Sequence, residues 1–340
     1  MARLFFMIRN SLKIFIVLTS ITCSCFIVSC KDHSEENNNE NEQPSQKVET
    51  PAFNADSAYA YVEKQVSFGP RVPGTPAQKE AAAWMTQKLR NFCDTVYVQN
   101  VQVKAGSGKM LPCINIIGSV NPQAKTRILL LAHWDSRPWA DMDVKDQDRP
   151  ILAADDGGSG VAVLLEVARA IQQKPLPKDL GIDILFTDVE DYGKTEWGDN
   201  SYALGTQYWA RNPHVPGYTA EFGILLDMVG AKNAQFPLEG VSTKYAGRVQ
   251  QQVWQAANSA GYSSYFPFVA GPEITDDHVF VNEIARIPTI DIINLNSTTQ
   301  SAFASHWHTH NDNMSIIDKN TMKAVGATLL QVIYETAKPS

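Results

Sequence analysis

The chain has 340 residues, 44% of them hydrophobic and 19% charged, with a formal net charge of −7. This is enough apolar material for one large core, and one catalytic-sized domain is the default expectation. The acidic balance excludes a nucleic-acid surface, which needs clustered positive charge.

Residues 1–30 carry Arg3, Arg9 and Lys13, no acid, and then the apolar run Ile14–Cys30. A membrane span needs about 20 apolar residues. The shorter run, with its basic flank and small-residue end, suits a secretory signal peptide better than a transmembrane anchor. The residues before Cys30, Ile27–Ser29, and the polar stretch after it resemble the cleavage and lipidation site of bacterial lipoproteins, with Ile27 where Leu is more usual. The resemblance implies an exported protein of the bacterial periplasm or outer membrane, touching the membrane only through a lipidated Cys30. Residues 31–52 are Asn- and Glu-rich, have too little apolar surface to fold, and read as a flexible polar tether. Residues 53–340 are expected to form a single domain. Its two cysteines, Cys93 and Cys113, lie in no motif for a nucleophile or a zinc knuckle, and can be either bridged or two buried thiols.

Within that domain residues 76–92 start with Pro and place apolar residues at helical spacing. Residues 96–103 alternate as a strand does, and "LPCINIIGSV" and "TRILLLA" continue as strands. "RILLLA" is apolar on both faces, as in a central strand covered above and below. A helix over 159–172, a strand over 181–187, a helix near 201–212, a strand over 222–229 and a helix near 244–260 follow. A strand over 288–293 and a helix over 319–336 complete an α/β fold: an open, mixed, mostly parallel sheet flanked by helices on both faces.

Ligands of open α/β sheets bind beyond the carboxyl ends of the strands. Those ends carry His133 and Asp135, then Asp188, Glu190 and Asp191, then Asp227, and finally the loop "SHWHTHNDN" over 305–313. Asp155 and Asp156 precede the helix at Ser159. One such carboxylate reads as a helix cap, but a set of them at five ends reads as a site. Carboxylates with imidazole and no thiolate suit catalytic zinc, whereas calcium would take more oxygens and no histidine. Because Glu190 and Asp191 are adjacent, one can face a metal while the other faces a substrate.

The ordered motifs "AHWDS" (132–136), "AADDGGSG" (153–160), "DVED" (188–191), "LLDMVGAKNAQFP" (225–237), "TDDH" (275–278) and "WHTHNDN" (307–313) resemble the animal-type, zinc-dependent glutaminyl-peptide cyclotransferases. These are relatives of the zinc aminopeptidases and share their fold. The resemblance runs from about Ala55 to the C-terminus. It implies one zinc held by Asp156, Asp191 and His308, with Glu190 as general acid and base. It also implies that Asp227 and Asp276 form a hydrogen-bonded cluster with that base. Trp197, Phe303 and Trp307 would be aromatic walls of a pocket lined by Ile274 and Thr275. Asp191 departs from the animal pattern, which has Glu, and the loop carrying Trp197 differs in length. The implied substrates are peptides or proteins with N-terminal glutamine, and the implied catalytic domain is monomeric. His306 and His310 are expected to face solvent or bond loop backbone.

A two-zinc aminopeptidase is the rival within the same fold, since His133 and Asp227 would join Asp156 around a second ion. A non-catalytic peptide-binding lipoprotein is the rival from another class, disfavoured because presumed ligands and base are all present. Three carboxylates as close as Glu190, Asp227 and Asp276 cannot all stay ionised, so at least one is expected to share a proton.

Overall fold

The computed structural model describes residues 48–337. The residues expected to form a signal peptide, Cys30 and most of those expected to form a tether lie outside the described residues. The tether's last residues do not behave as tether: Val48 packs against the core, and the Glu49 carboxylate meets Lys174 Nζ at 3.0 Å.

Helix α1 (Ala55–Ser67) starts where the Asn54 side chain accepts the amides of Asp56 and Ser57, and α2 (Pro76–Phe92) where Thr75 caps a helix with Pro in its first turn. Strands β1 (Thr95–Lys104), β2 (Met110–Val120) and β3 (Thr126–His133) follow, then α3 (Gly158–Gln173) and β4 (Leu180–Thr187). The chain continues through α4 (Leu204–Arg211), β5 (Phe222–Asp227), α5 (Gly240–Ser259), the short α6 (Asp277–Phe280), β6 (Thr289–Ile293) and α7 (Lys319–Thr336). Helix α5 begins at Gly240, ahead of the residue 244 expected, because the Glu239 carboxylate accepts the amides of Val241 and Ser242.

Among the described residues six strands form one sheet in the order β1-β2-β4-β3-β5-β6. The four strands from β4 to β6 run parallel, while β1 and β2 pair antiparallel with each other and β2 pairs antiparallel with β4. Period-two alternation in β3 serves two cores. Ile128, Leu130 and Ala132 enter the large core built with α1, α2, α3, α5 and α7, and Leu129 and Leu131 enter a smaller one with Trp209 and Val281. The expected α/β architecture is therefore present, with α1 an addition to the helices expected. Cys93, at the end of α2, and Cys113, in β2, are both free thiols, and burial pushes the Cys93 thiol up to about 12.

The first turn of α3 lies directly on the sheet. A Cβ at Gly160 would stand 2.5 Å from the Leu226 carbonyl oxygen and 2.9 Å from the Ala132 Cβ. Gly160→Ala should therefore destabilise the fold by about 1–3 kcal/mol, the usual cost of overpacking. That outweighs the ~1 kcal/mol by which Ala favours a helix over Gly. Urea denaturation measures the sum, and an unchanged or raised midpoint would show that α3 does not sit this tightly.

Candidate active site

The carboxyl ends of β3, β4 and β5 converge with the 305–313 loop, and the backbone there is unusual. Val189, Met228 and His308 have φ of 58°, 51° and 54°, left-handed values that non-glycine residues avoid. Fixed acceptors hold this backbone. The Asp135 carboxylate accepts the amides of Glu190 (3.0 Å) and Asp191 (3.2 Å), so both side chains leave the β4 end in set directions. Asp188 is itself a clamp and not a site group: it accepts from the Ile114 amide, Gln78 Nε2 and the Val189 amide.

Asp156, Asp191 and His308 each offer one donor atom within 4.8 Å of the others. His308 Nε2 lies 3.3 Å from Asp191 Oδ1 and 3.7 Å from Asp156 Oδ2, while its Nδ1 faces Asp141 Oδ1 at 3.4 Å. Arg137 bonds Asp191 Oδ1 at 2.8 Å and grips Asp141 through two nitrogens. Against burial, which raises it, His308 and Arg137 hold the Asp191 carboxyl below its ordinary range. Asp156 Oδ2 and Asp191 Oδ2 are buried without any hydrogen-bond partner. Two buried anionic oxygens beside an imidazole nitrogen are a cation site in donor type and number, and they fit the zinc expected there.

His133 extends this cluster. Its Nε2 lies 3.0 Å from Asp156 Oδ1 and 3.3 Å from Asp227 Oδ1, a second group with metal-compatible donors. Its ring also explains Gly157, where a Cβ would come within 2.8 Å of His133 Cε1.

The histidine-rich loop differs from expectation at His306, while His310 stays partly exposed to solvent as expected. His306 is buried and bonds the Asp155 carboxylate (2.9 Å), and His310 uses its amide and Nδ1 against the Asp143 carboxylate (2.9 and 3.0 Å). Both anchor the loop on side chains of other loops. Asp312 does more: its two oxygens accept the amides of Asp155 (2.7 Å) and Asp156 (3.0 Å), which fixes the loop that presents Asp156. Burial, with Asp155 and Asp156 nearby, raises the Asp312 carboxyl to about 7.

Over the triad lies a small pocket of about 60 Å³ that brings together Glu190, Asp227, Asp276, Ile274, Thr275, Phe303 and Trp307. The Phe303 and Trp307 rings lie 4.4 Å apart, and Trp307 stacks on His308 at 3.7 Å. Trp197 is not in this wall. It meets Trp139 edge-on at 6.1 Å with Lys194 Nζ above both rings, and Tyr202 lines the pocket instead. Tyr202, Met228 and Ile293 are wall residues that sequence reasoning missed.

The proton balance follows from burial. Burial pushes Glu190 well above the ordinary carboxylate range; His133 opposes this, and Asp276 and Asp191 add to it. Asp276 is raised by burial and by Asp227, and Asp227 is raised to about 6 by burial against its hydrogen bond from His133. Burial and the crowding of like charges thus raise the proton affinity of the cluster. A larger open groove of about 1550 Å³ lies at the amino ends of the parallel strands, near Leu180 and Phe222, and has no His or Cys in its lining.

The model of peptidase family M28 matches residues 115–333. A Bacteroides thetaiotaomicron glutaminyl cyclase, solved bound to N-acetylhistamine, is 50% identical over 84% of this chain and 99% of its own, with a TM-score of 0.82. A Zn-dependent exopeptidase from Parabacteroides distasonis is 51% identical at the same coverage and the same TM-score. Glutaminyl-peptide cyclotransferase of Drosophila melanogaster is 28% identical over 277 residues, spanning 74% of this chain and 73% of its own.

Asp312→Ala would leave two buried amides without an acceptor, at about 1–3 kcal/mol each. Loss of a group that orients a ligand typically weakens metal binding about 10–100-fold. Chelator competition should find zinc held that much less tightly than in the parent, and equal affinity would show that Asp312 does not position Asp156.

Proposed function

The chain belongs to peptidase family M28, and we propose that it is a glutaminyl-peptide cyclotransferase, closing the N-terminal glutamine of peptides or proteins to pyroglutamate with release of ammonia. One observation carries the reading: the metal-type triad opens into a pocket for a single residue, closed by Phe303 and Trp307, with Glu190 and Asp276 facing it. Such a cavity suits one folded-back side chain, where an aminopeptidase needs a cleft for an extended peptide. The solved glutaminyl cyclase at 50% identity supports it further.

In this reading the substrate's α-amine is the nucleophile, and no serine or cysteine is required. The amine nitrogen bonds to the γ-carbonyl carbon, and the bond from that carbon to the amide nitrogen breaks. Glu190 takes the proton the amine sheds and returns it to the departing nitrogen, which leaves as ammonia. A base with a raised proton affinity is suited to both halves of that transfer. Asp276 orients Glu190 and the leaving group, while Phe303 and Trp307 hold the side chain folded so that amine and carbonyl meet. Zinc, when bound by Asp156, Asp191 and His308, supplies Lewis acidity toward the γ-carboxamide oxygen.

We further propose one zinc per chain. The His133 ring already satisfies Asp227 Oδ1 and Asp156 Oδ1 by direct contact, whereas the unpartnered oxygens belong to Asp156 and Asp191. Export, with attachment through a lipidated Cys30, is likewise proposed from the leader's pattern. Cys30→Ser should move the protein from the membrane to the soluble fraction, and unchanged fractionation would discard the anchor.

The function itself is tested with a Gln-peptide and a Leu-peptide of equal length, read by mass. The expected result is loss of ammonia from the first and no cleavage of either, and release of free leucine would move the protein to the aminopeptidase reading. In the same assay Glu190→Gln should keep its zinc and lose turnover by about 10²-fold or more, the usual contribution of a positioned acid–base group. Near-parent activity would exclude Glu190 as the proton carrier.

A further inference from the structure

Glu239 precedes α5 and is completely buried. A carboxylate at that position needs only to accept the first free amides of the helix, as Ser or Asp does at most helix starts. Glu239 does that, with Val241 N at 2.7 Å and Ser242 N at 2.6 Å, but it also holds a second element. Its Oε1 accepts the Ile274 amide at 2.9 Å, and its Oε2 lies 3.1 Å from His278 Nε2. Ser242 Oγ, which donates to the same Oε2 at 2.6 Å, accepts the Asp291 amide from β6 at 2.9 Å. One carboxylate thus joins the start of α5, the pocket wall, α6 and, through Ser242, strand β6.

Ile274 and His278 stand two residues either side of Asp276, so the segment bearing Asp276 is clamped at both ends by the two oxygens of Glu239. The imidazole carries the clamp inward: His278 Nδ1 lies 3.9 Å from Asp291 Oδ2, and Asp276, His278 and Asp291 offer donor atoms within 4.8 Å of one another. Asp276 Oδ2 is buried and unpartnered among the protein's own groups, on the residue that lines the pocket beside Glu190. The segment has further anchors, Thr187 Oγ1 donating to Asp277 Oδ2 at 2.7 Å and Val279 N to the Asp276 carbonyl at 3.0 Å, but the Asp276 side chain itself bonds only the Asp277 amide. Although burial opposes it, the His278 contact and the Ser242 donors hold the Glu239 carboxyl at about 2, so it is a permanent acceptor at neutral pH.

We propose that Glu239 is a positioning residue for the cyclisation, acting through Ile274 and His278 to fix Asp276 against Glu190. It touches no reacting atom. The inference rests on the cyclase reading and adds to it a residue far from the metal triad in sequence and on a different element.

The test compares four variants of the full chain in ammonia release from a Gln-peptide, with zinc content and thermal midpoint measured for each. Glu239→Gln cannot accept all of these donors and should lose about tenfold or more in kcat, the scale on which small misplacements act, with KM changed less than about threefold and zinc retained. His278→Leu should fall similarly, whereas His278→Gln, which keeps an N–H within reach of Glu239, should recover most of the rate. Gln250→Ala removes a donor to the Glu239 backbone carbonyl and an acceptor of the Thr243 hydroxyl but leaves the Glu239 carboxylate contacts intact, and should lower the midpoint without lowering kcat. Should Glu239→Gln fail to fold, the two His278 variants decide the matter. Equal rates in His278→Leu and His278→Gln, or a kcat loss in Gln250→Ala matching theirs, would reduce Glu239 to a helix cap. A parent that releases no ammonia overturns the cyclase reading and this inference together, while an active parent with unaffected variants overturns the inference alone.

Discussion

Carboxylates removed from water at one edge of a sheet dominate this molecule. Asp135, Asp155, Asp156, Asp188, Glu190, Asp191, Asp227, Asp276, Asp277, Asp291 and Asp312 are all buried. Ionised side chains cannot be crowded in this way unless each is answered by a donor, a cation or a proton. The sequence around them supplies all three. Asp135, Asp188 and Asp312 take backbone amides. Arg137 takes Asp191 and Asp141, and the histidines 133, 306 and 308 take others. Burial raises the proton affinity of Glu190, Asp276 and Asp291 instead. Arg71, buried and lowered to about 10 mainly by desolvation, remains a cation at neutral pH and ties the 152–153 carbonyls to that of Trp134.

This sorting produces a division of roles. Carboxylates answered by backbone amides shape the loops, while Asp156, Asp191 and Asp276, each with an oxygen left unanswered, line the pocket. Asp277 and Asp291 also carry unpartnered oxygens, but behind the pocket wall, so it is unanswered oxygens together with access to the pocket that mark the site. The M28 fold supplies the strand ends, and the clamped loops decide which oxygens stay free.

Much of this was legible because strand ends are marked by an apolar run stopping at a charge. "RILLLAH" and "GILLD" announce both the strand and its functional terminus, and the helices over 76–92 and 319–336 have the bounds their caps and spacing predicted. The Asp156, Asp191 and His308 set was read from motif order, and the fold brings those three together. What stayed hidden depends on contacts distant in sequence. Asp312 and His306 look like loop polarity until Asp155 is seen more than 150 residues away. Glu239 sits in "PLEG" with no period to mark it, and Asp291 interrupts an apolar strand without a nearby partner in sequence. Trp197 lies against Trp139 and Lys194, since motif order fixes the sequence position of an aromatic and not the reach of its loop. The two cysteines gave no signal either way, and only their packing separates them.

Val189, Met228 and His308 keep left-handed backbone that costs an L-residue on the order of 1–2 kcal/mol each relative to its relaxed state. In an unfolded chain these residues relax to extended or right-handed conformations, and Glu190, Asp191 and the His308 ring then point in unrelated directions. The triad therefore exists as a donor set only in the folded chain, where Asp135 and Asp312 hold the amides beside Asp156, Glu190 and Asp191. Its affinity for a metal is accordingly tied to the stability of the fold, and a bound ion stabilises the folded chain in turn.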